Sequence, residues 1–402
     1  MERLRVGIVG SGTAGSAAAV LLARDGHDVT VFERVADPGT KGAGIMLQPS
    51  GLAVLRFLGL EDQVVAQGSR VDHLLAKTRE GKVLLDLAYE RLSAGLFGIG
   101  LHRGVLFEAL YGALLREPVQ VRTGVSIQRA TSGERPYLLT DEAERLGPFD
   151  LVLACDGARS SVREHATSLT RSVVAYPFGA LWFIGHDPAA EASGRLLQTV
   201  DGTAEMVGLL PTGRPDFHDG KPLVSLFVSV RATEVPDIRR AGIGPLRDRV
   251  LGLCPSAETV LDQVPDTEHL VFAGYHDVVM PRWHAHRMAF LGDAAHATSP
   301  QLGQGCNLAL CDAHALAHAL RQARTLEEAL ASYTASRRAH LDYYQLATRW
   351  LTPFFQSDFA VLGVLRDLVM GSFGKIPYVE REMVRSMAGT KAGLLWGGYA
   401  PD

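Results

Sequence analysis

The chain has 402 residues, enough for two domains and a tail. Apolar residues make up 47% and charged residues 21%, and a net charge of −4 offers no basic surface for nucleic acid or an anionic membrane. Cys155, Cys254, Cys306 and Cys311 lack the paired spacing of a zinc site and read as reduced thiols of a cytoplasmic protein.

Leu4–Val9 reads as a buried strand, Gly10–Gly15 as a tight turn, Ser16–Arg24 as a helix and Asp28–Glu33 as a second strand. The uncharged run Val6–Ala23 would suit a signal peptide or a membrane span. Its glycines, followed at once by Arg24-Asp25-Gly26, fit a βαβ unit instead, so neither export nor a span is expected. In the turn Gly10-Ser11-Gly12-Thr13-Ala14-Gly15, Gly10 makes the bend and Gly12 lets a pyrophosphate approach the backbone. Thr13 and Ala14 lie within the turn as further cofactor-binding candidates, and Gly15 packs helix on strand. Glu33 ends the second strand about where an acid grips an adenosine ribose, with Arg34 beside it. This unit alone leaves NAD and FAD both open.

Lys41 and Gly42–Pro49 precede an amphipathic helix, Ser50–Leu58, and Val71–Leu87 reads as a hairpin turning at Glu80-Gly81. Gly100-Leu101-His102-Arg103 enters a helix whose first turn carries Arg103, a fork of donors at an end that already favours anions. Val119–Gly147 reads as a small antiparallel meander, followed by the hydrophobic strand Asp150–Cys155 and the run Asp156-Gly157-Ala158-Arg159. Ala180–Ile184, Met206–Leu210 and Leu223–Val230 are strand-like, with a helix near Gly244–Gly252. Met288–Leu291 is another buried strand. It stops at Gly292-Asp293, passes a loop with Pro300, Gly303 and Gly305, and enters a helix from about Asn307. Asp293 can accept hydrogen bonds from sugar-like hydroxyls, the loop glycines admit a flat ligand, and the helix start favours one that becomes anionic. Leu326–Arg349 has helical spacing, and Pro353, Gly363, Gly371 and Pro377 are expected to break the remainder of the chain.

The run GDAAHATSPQLGQGCNLALCDA resembles the second FAD fingerprint of the group A aromatic hydroxylases, the family of p-hydroxybenzoate hydroxylase. With the N-terminal glycine turn and the Asp156-Gly157 motif, the resemblance covers roughly residues 1–345 in order. It implies an α/β protein with a glutathione-reductase-type FAD-binding, Rossmann-like domain formed by residues 1–70, 98–171 and 270–345. An interleaved antiparallel-sheet substrate domain would take residues 71–97 and 172–269, and a C-terminal helical segment residues 346–402. By the likeness, Asp293 holds the ribityl chain, Pro300 faces the flavin, and Gly303 and the backbone of Gly305-Cys306-Asn307 meet the ring. Lys41 stands where a basic residue often sits beside the ring, Arg103 contacts the pyrophosphate region, and the Asp156 motif serves both FAD and NAD(P)H. Gln304, the candidate catalytic side chain, could reach over the ring or point to solvent.

The chemistry implied is that NADH or NADPH reduces FAD and O2 adds to give a flavin hydroperoxide. The distal oxygen then passes to an aromatic or similarly electron-rich small molecule. Trp182, Phe183, Met206, Leu210 and Phe227 are the substrate-side candidates; they alternate along predicted strands, so only some can face the pocket. Met206 aligns roughly where some hydroxybenzoate hydroxylases carry a histidine, so no imidazole awaits a phenol there; Tyr89 and His73 are further polar candidates. His314 and His318 have the spacing of a metal pair but no third ligand, and no metal is expected. The alternatives are a related flavoprotein with other chemistry, such as an epoxidase or reductase, and a non-catalytic flavin-binding protein. The chain is expected to act as a monomer or homodimer.

Overall fold

The strand Arg5–Val9 lies in the interior of a six-stranded sheet, because Val6, Ile8 and Val9 are almost wholly buried and both of its edges are taken. Asp28–Glu33 pairs along one edge and Leu151–Ala154 along the other, both parallel. The order is His284–Ala285, Met288–Phe290, Leu151–Ala154, Arg5–Val9, Asp28–Glu33, Val119–Thr123, with only the first pair antiparallel. Near-continuous apolar strands suit a sheet covered on both faces. The alanine-rich helix Thr13–Arg24 packs against Gly305–Gln322 within the same core. Ile127–Ala130, Leu138–Thr140 and Arg145–Leu146 form the expected small meander. The computed structural model behind this description covers residues 2–39, 42–188, 190, 192–373, 376–394 and 397–401.

A second, nine-stranded sheet runs Val271–Val279, Ser172–His186, Leu223–Arg231, Glu205–Gly213, Gly194–Asp201, Ser69–Thr78, Gly98–His102, Gly44–Leu47, with Val83–Ala88 paired to Ser69–Thr78. Gly194–Asp201 pairs parallel to Ser69–Thr78, although their sequence separation exceeds a hundred residues. Helices Val235–Ala241, Ile243–Leu253 and Glu258–Leu261 cover one face of this sheet, against Leu181, Val207, Leu209, Leu226 and Val228. The mixed α/β architecture expected from the sequence is present, and the two sheets meet where Gly44–Leu47 and Gly98–His102 reach the flavin-motif loops.

The C-terminal third departs from expectation. The helix starting at Leu326 has a Thr325–Glu328 capping box and runs to Phe355, straight through Pro353. Pro353 sits in the last turn, so only two residues of helix follow the i→i−4 hydrogen bond it cannot make. Gly363 and Gly371 lie inside the helix Ala360–Phe373 and do not end it. Each marks a close approach: a Cβ at Gly363 would meet Thr203 and Gly202 at 3.2–3.4 Å, and one at Gly371 would lie 2.9 Å from the Val83 carbonyl oxygen. Pro377 opens the helix Pro377–Met387. Among the described residues no helix is long and apolar enough to cross a membrane. All four cysteines are free.

Candidate functional site

The glycine turn is built as its spacing requires. Gly10 has φ +95°, and a Cβ there would lie 2.6 Å from the Cys155 carbonyl oxygen. One at Gly15 would lie 1.9 Å from the Gly10 carbonyl oxygen, so both positions are closed by the protein itself. Gly12 is the opposite case: a Cβ there meets no atom within 4 Å. It caps the twelve-residue helix Thr13–Arg24 with no side-chain hydrogen bond, and its surroundings open toward the first N–H groups of that helix. Room at Gly12 and none at Gly10 or Gly15 is the geometry of a phosphate cradle. Glu33 stands beside it, accepting from Ser11 N at 2.9 Å, Ser11 Oγ at 2.8 Å and Val35 N at 2.9 Å. Arg34 next to it is exposed.

The other motifs close around this turn. Asp156 follows the strand beside Gly10, with its Cα 3.2 Å from where a Gly10 Cβ would lie. Burial pushes its carboxyl up, although Ser160 and the Val162 N–H, 3.3 Å away, work against the shift. Arg163 is 2% exposed and joins two motifs, donating to the Ala158 carbonyl at 2.6 Å and to the Ala294 carbonyl at 2.9 Å. Gly292 has φ +60°, and a Cβ there would lie 3.3 Å from Ala14 and 3.2 Å from Ala309. Asp293 itself is exposed, and its Oδ1 lies 3.8 Å from the Cβ position of Gly305.

Arg103 is the first residue of the helix Arg103–Arg116 and is exposed, with its stem 3.0 Å from the Cβ position of Gly42. The cap of that helix is a histidine: His102 Nδ1 accepts from Gly104 N at 3.0 Å. Burial, then the nearby His218, lowers His102 to about 4, so the imidazole is neutral and able to accept. From Ala43 the strand Gly44–Leu47 carries the chain to Gly303, whose Cβ position lies 3.7 Å from Met46 and 3.8 Å from Gln48 Nε2. Asn307 locks this junction. Its side chain accepts from Gln48 N at 2.9 Å and donates to the Met46 and Gly303 carbonyls at 3.0 and 3.1 Å. Burial raises the Cys306 thiol to about 12. Pro300, itself exposed, begins the 3-10 turn Pro300–Leu302 just ahead of it. Close approaches thus link Gly10 to Asp156, Gly292 to Ala14, Gly305 to Asp293 and Gly42 to Arg103. Lys41 lies outside the described residues.

Gln304 does not point to solvent. It is 5% exposed, and its Nε2 donates to the Met387 carbonyl at 2.8 Å. The C-terminal segment it grips is held at four successive carbonyls. Tyr344 Oη donates to Ser386 O at 2.8 Å, Gln304 to Met387 O, Ser50 N to Ala388 O at 3.2 Å, and His340 Nε2 to Gly389 O at 2.9 Å. A buried charge chain lies behind it. Asp312 Oδ2 accepts from Gly292 N at 2.8 Å and His296 Nε2 at 2.6 Å, and its Oδ1 from Arg337 Nε at 2.8 Å. Burial would raise Asp312, but His296, Arg337 and the Gly292 N–H hold it at about 2. Arg337 also meets His340 Nδ1 at 2.6 Å, and burial, then Arg337, lowers His340 to about 2. His340 is therefore neutral, accepting at Nδ1 and donating at Nε2. The sequence reading missed Asp312 and Arg337, whose pairing at 0% exposure only the structure brings out.

The substrate-side candidates separate by strand parity. Trp182 and Phe227 are cross-strand partners with ring centroids 5.0 Å apart, and they share a cluster with Met206, Ala180, Tyr275 and Phe354. Gly208 makes room for Phe227, whose ring would lie 1.9 Å from a Cβ there. Leu210 lies on the same face, packed with Met46 and Tyr89. Phe183 does not belong with them: it faces the opposite side, in the core with the covering helices, as the alternation of a strand demands. Tyr89 is fully buried and donates to Gln48 Oε1, facing the flavin-motif loop. His73 instead lines a separate charged cleft of about 640 Å³ with Arg70, Asp72, Asp86, Glu90 and Arg195. Among the described residues no group of three or more His, Cys, Asp or Glu is placed to hold a metal ion; His314 packs edge-on against Phe57 at 4.8 Å.

A glycine turn shaped for a dinucleotide, in a chain whose second sheet carries the Trp182–Phe227 cluster, fits a flavoprotein oxidoreductase. The chain belongs to the family described as FAD binding domain, whose model matches residues 3–344. It is 27% identical to a 6-hydroxynicotinate 3-monooxygenase of Pseudomonas fluorescens, with 83% of this chain and 87% of that protein covered. It is 30% identical to a kynurenine 3-monooxygenase of Salinispora arenicola, covering 85% and 78%. Among solved structures it resembles PqsL of Pseudomonas aeruginosa in complex with 2-aminobenzoylacetate, with TM-score 0.78, 26% identity, and 90% and 100% coverage. HpxO of Klebsiella pneumoniae, solved with FAD and uric acid, has the same fold at TM-score 0.79 and 22% identity, with 96% and 97% coverage. The chain is an enzyme of the FAD-dependent monooxygenase class, as the sequence led us to expect; the non-catalytic and epoxidase or reductase alternatives gain no support.

Proposed function

We propose that this enzyme uses NADH or NADPH and O2 to hydroxylate a small aromatic ring. What carries the reading is the FAD-binding family over residues 3–344 together with the Cβ-free space at Gly12; Arg103, Asp293 and Gly303–Asn307 are the further residues that would hold FAD. The residues fit FAD on their own geometry: the Cβ-free space at Gly12 admits phosphates, Arg103 adds a cation, and Asp293 offers acceptors to a polyol. Bound there, FAD would supply electron transfer from the nicotinamide and the activation of O2.

The chain's own part is to hold, orient and keep dry. The start of Gly305–Gln322 aims free N–H groups at the loop where a reduced ring would gather negative charge. Asn307 and Gln304 hold that loop from two sides. Trp182, Met206 and Phe227, with Leu210 beside them, present an apolar face to an aromatic substrate and exclude water. Met206 carries no base, so the wall itself takes no proton from a phenol. The free thiols support a reducing compartment, the cytoplasm. The decisive experiment measures NAD(P)H oxidation and product formation over a panel of hydroxylated and amino-substituted aromatics, aerobically and anaerobically, under 18O2. We expect label in the product and turnover that stops without oxygen; product formed anaerobically would sink the reading.

A further inference from the structure

The helix Ala360–Phe373 carries an apolar ridge turned away from the protein. Val361, Val364, Leu365 and Leu368 are 78%, 61%, 46% and 66% exposed, at the i, i+3, i+4, i+7 spacing of one helical face. Phe359, at 68%, and Val369, at 38%, extend it. The other face is committed. Gly363 lies against Gly202 and Thr203, Arg366 donates to the Gly202 and Phe354 carbonyls at 2.8 Å, and Met370 packs with Trp182, Met206 and Phe227. One helix thus roofs the aromatic wall and leaves a bare hydrophobic ridge outside.

We propose that this ridge seats a second copy of the chain, the two helices antiparallel about a two-fold axis near Val364 and Leu365. The six side chains present roughly 600 Å² of apolar surface, at the upper end of what a monomer leaves uncovered. Doubled by symmetry, that is about 1,200 Å², the lower bound of a stable specific interface. A lipid surface fits less well, because it calls for spare lysines or arginines beside the apolar face. The charges here are already used: Arg231 with Asp358, Arg366 with Asp367, and Lys82 with the Asp367 carbonyl. An isologous partner needs no new charge, only the same ridge.

The test is sedimentation equilibrium of the FAD-loaded full chain across the micromolar range, which reads mass and so is independent of which ring is hydroxylated. A dimer is expected, with Val364→Glu and Leu368→Glu each raising its dissociation constant at least about 100-fold. Because a charged variant could perturb the roof, Val364→Cys is the second arm: near the axis it should give a covalent dimer under mild oxidation. A monomer at all concentrations overturns the proposal. So does a dimer untouched by either glutamate and uncrosslinked at Val364→Cys, and so does ridge-dependent flotation with phosphatidylcholine vesicles by a chain that stays monomeric in solution.

Discussion

Two glycines of one turn make opposite demands. Gly15 has the Gly10 carbonyl where a methyl would go, so Gly15→Ala should lower stability by about 1–3 kcal/mol, since overpacking forces the backbone to shift. Gly12 has nothing there, so Gly12→Ala should unfold within about 0.5 kcal/mol of the parent while its FAD dissociation constant rises at least tenfold. Urea unfolding without FAD and fluorescence titration with it separate the two effects, and parallel behaviour of the variants would contradict the phosphate cradle. His102 makes a second residue-scale case. His102→Ala removes the cap of the helix that presents Arg103, a loss of about 1 kcal/mol, with weaker FAD binding as its consequence. His102→Asn should restore most of both, since asparagine is a good cap; failure of that rescue would show that the ring's packing on Phe217, not its nitrogen, matters.

Among elements, the loop Gly303–Asn307 owes its shape to a segment more than eighty residues further on. Gly389 has φ +77°, and a Cβ there would lie 2.0 Å from Ser50 Oγ. Gly389→Ala should therefore loosen the grip on Ser386–Gly389, with FAD release at least several-fold faster and tryptic cleavage in the last turns of Pro377–Met387. Unchanged release by stopped-flow dilution would show that the loop keeps its form unaided. What was legible in the sequence divides along this line. The turn at Gly10–Gly15 and the helix start at Arg103 could be read because local backbone geometry sets each of them. Gln304's partners could not, since nothing within the loop distinguishes a glutamine aimed at a ring from one bonded to a distant carbonyl. Phe183 and Trp182 were ambiguous for a related reason: alternation says that neighbours diverge but not which of them meets the core. Gly363 and Gly371 misled because close packing, not a bend, required them.

Over the whole molecule, the buried chain Asp312–Arg337–His340 makes stability depend on pH. His340 is held at about 2 when folded, against 6.5 for an ordinary histidine. The unfolded chain therefore binds a proton that the native one refuses, and stability is full above pH 6.5 and lost as pH falls toward the folded value. The slope is about 1.4 kcal/mol per pH unit for each such group. His102 adds to it until about pH 4. Asp312, depressed to about 2, joins only below about pH 4. His340→Gln should be less stable at about pH 7, yet lose about one proton's worth of slope between about pH 6 and 4.5. Urea melts across that range measure it, and an undiminished slope would place the proton elsewhere. The Asp312–Arg337 pair, at 0% exposure on both sides, is a poor source of net stability, but breaking it leaves a charge stranded at a cost of about 3–5 kcal/mol.

The hold on Ser386–Gly389 also sets an order of events during synthesis. Ser50, Gln304, His340 and Tyr344 leave the ribosome before the carbonyls they meet, because chains emerge N-terminus first. A nascent chain can build its parallel sheet and its glycine turn early, but the loop takes its final form only after Ser386–Gly389 have emerged. Loading with the yellow cofactor then becomes a late step, and a prematurely terminated product would be born pale.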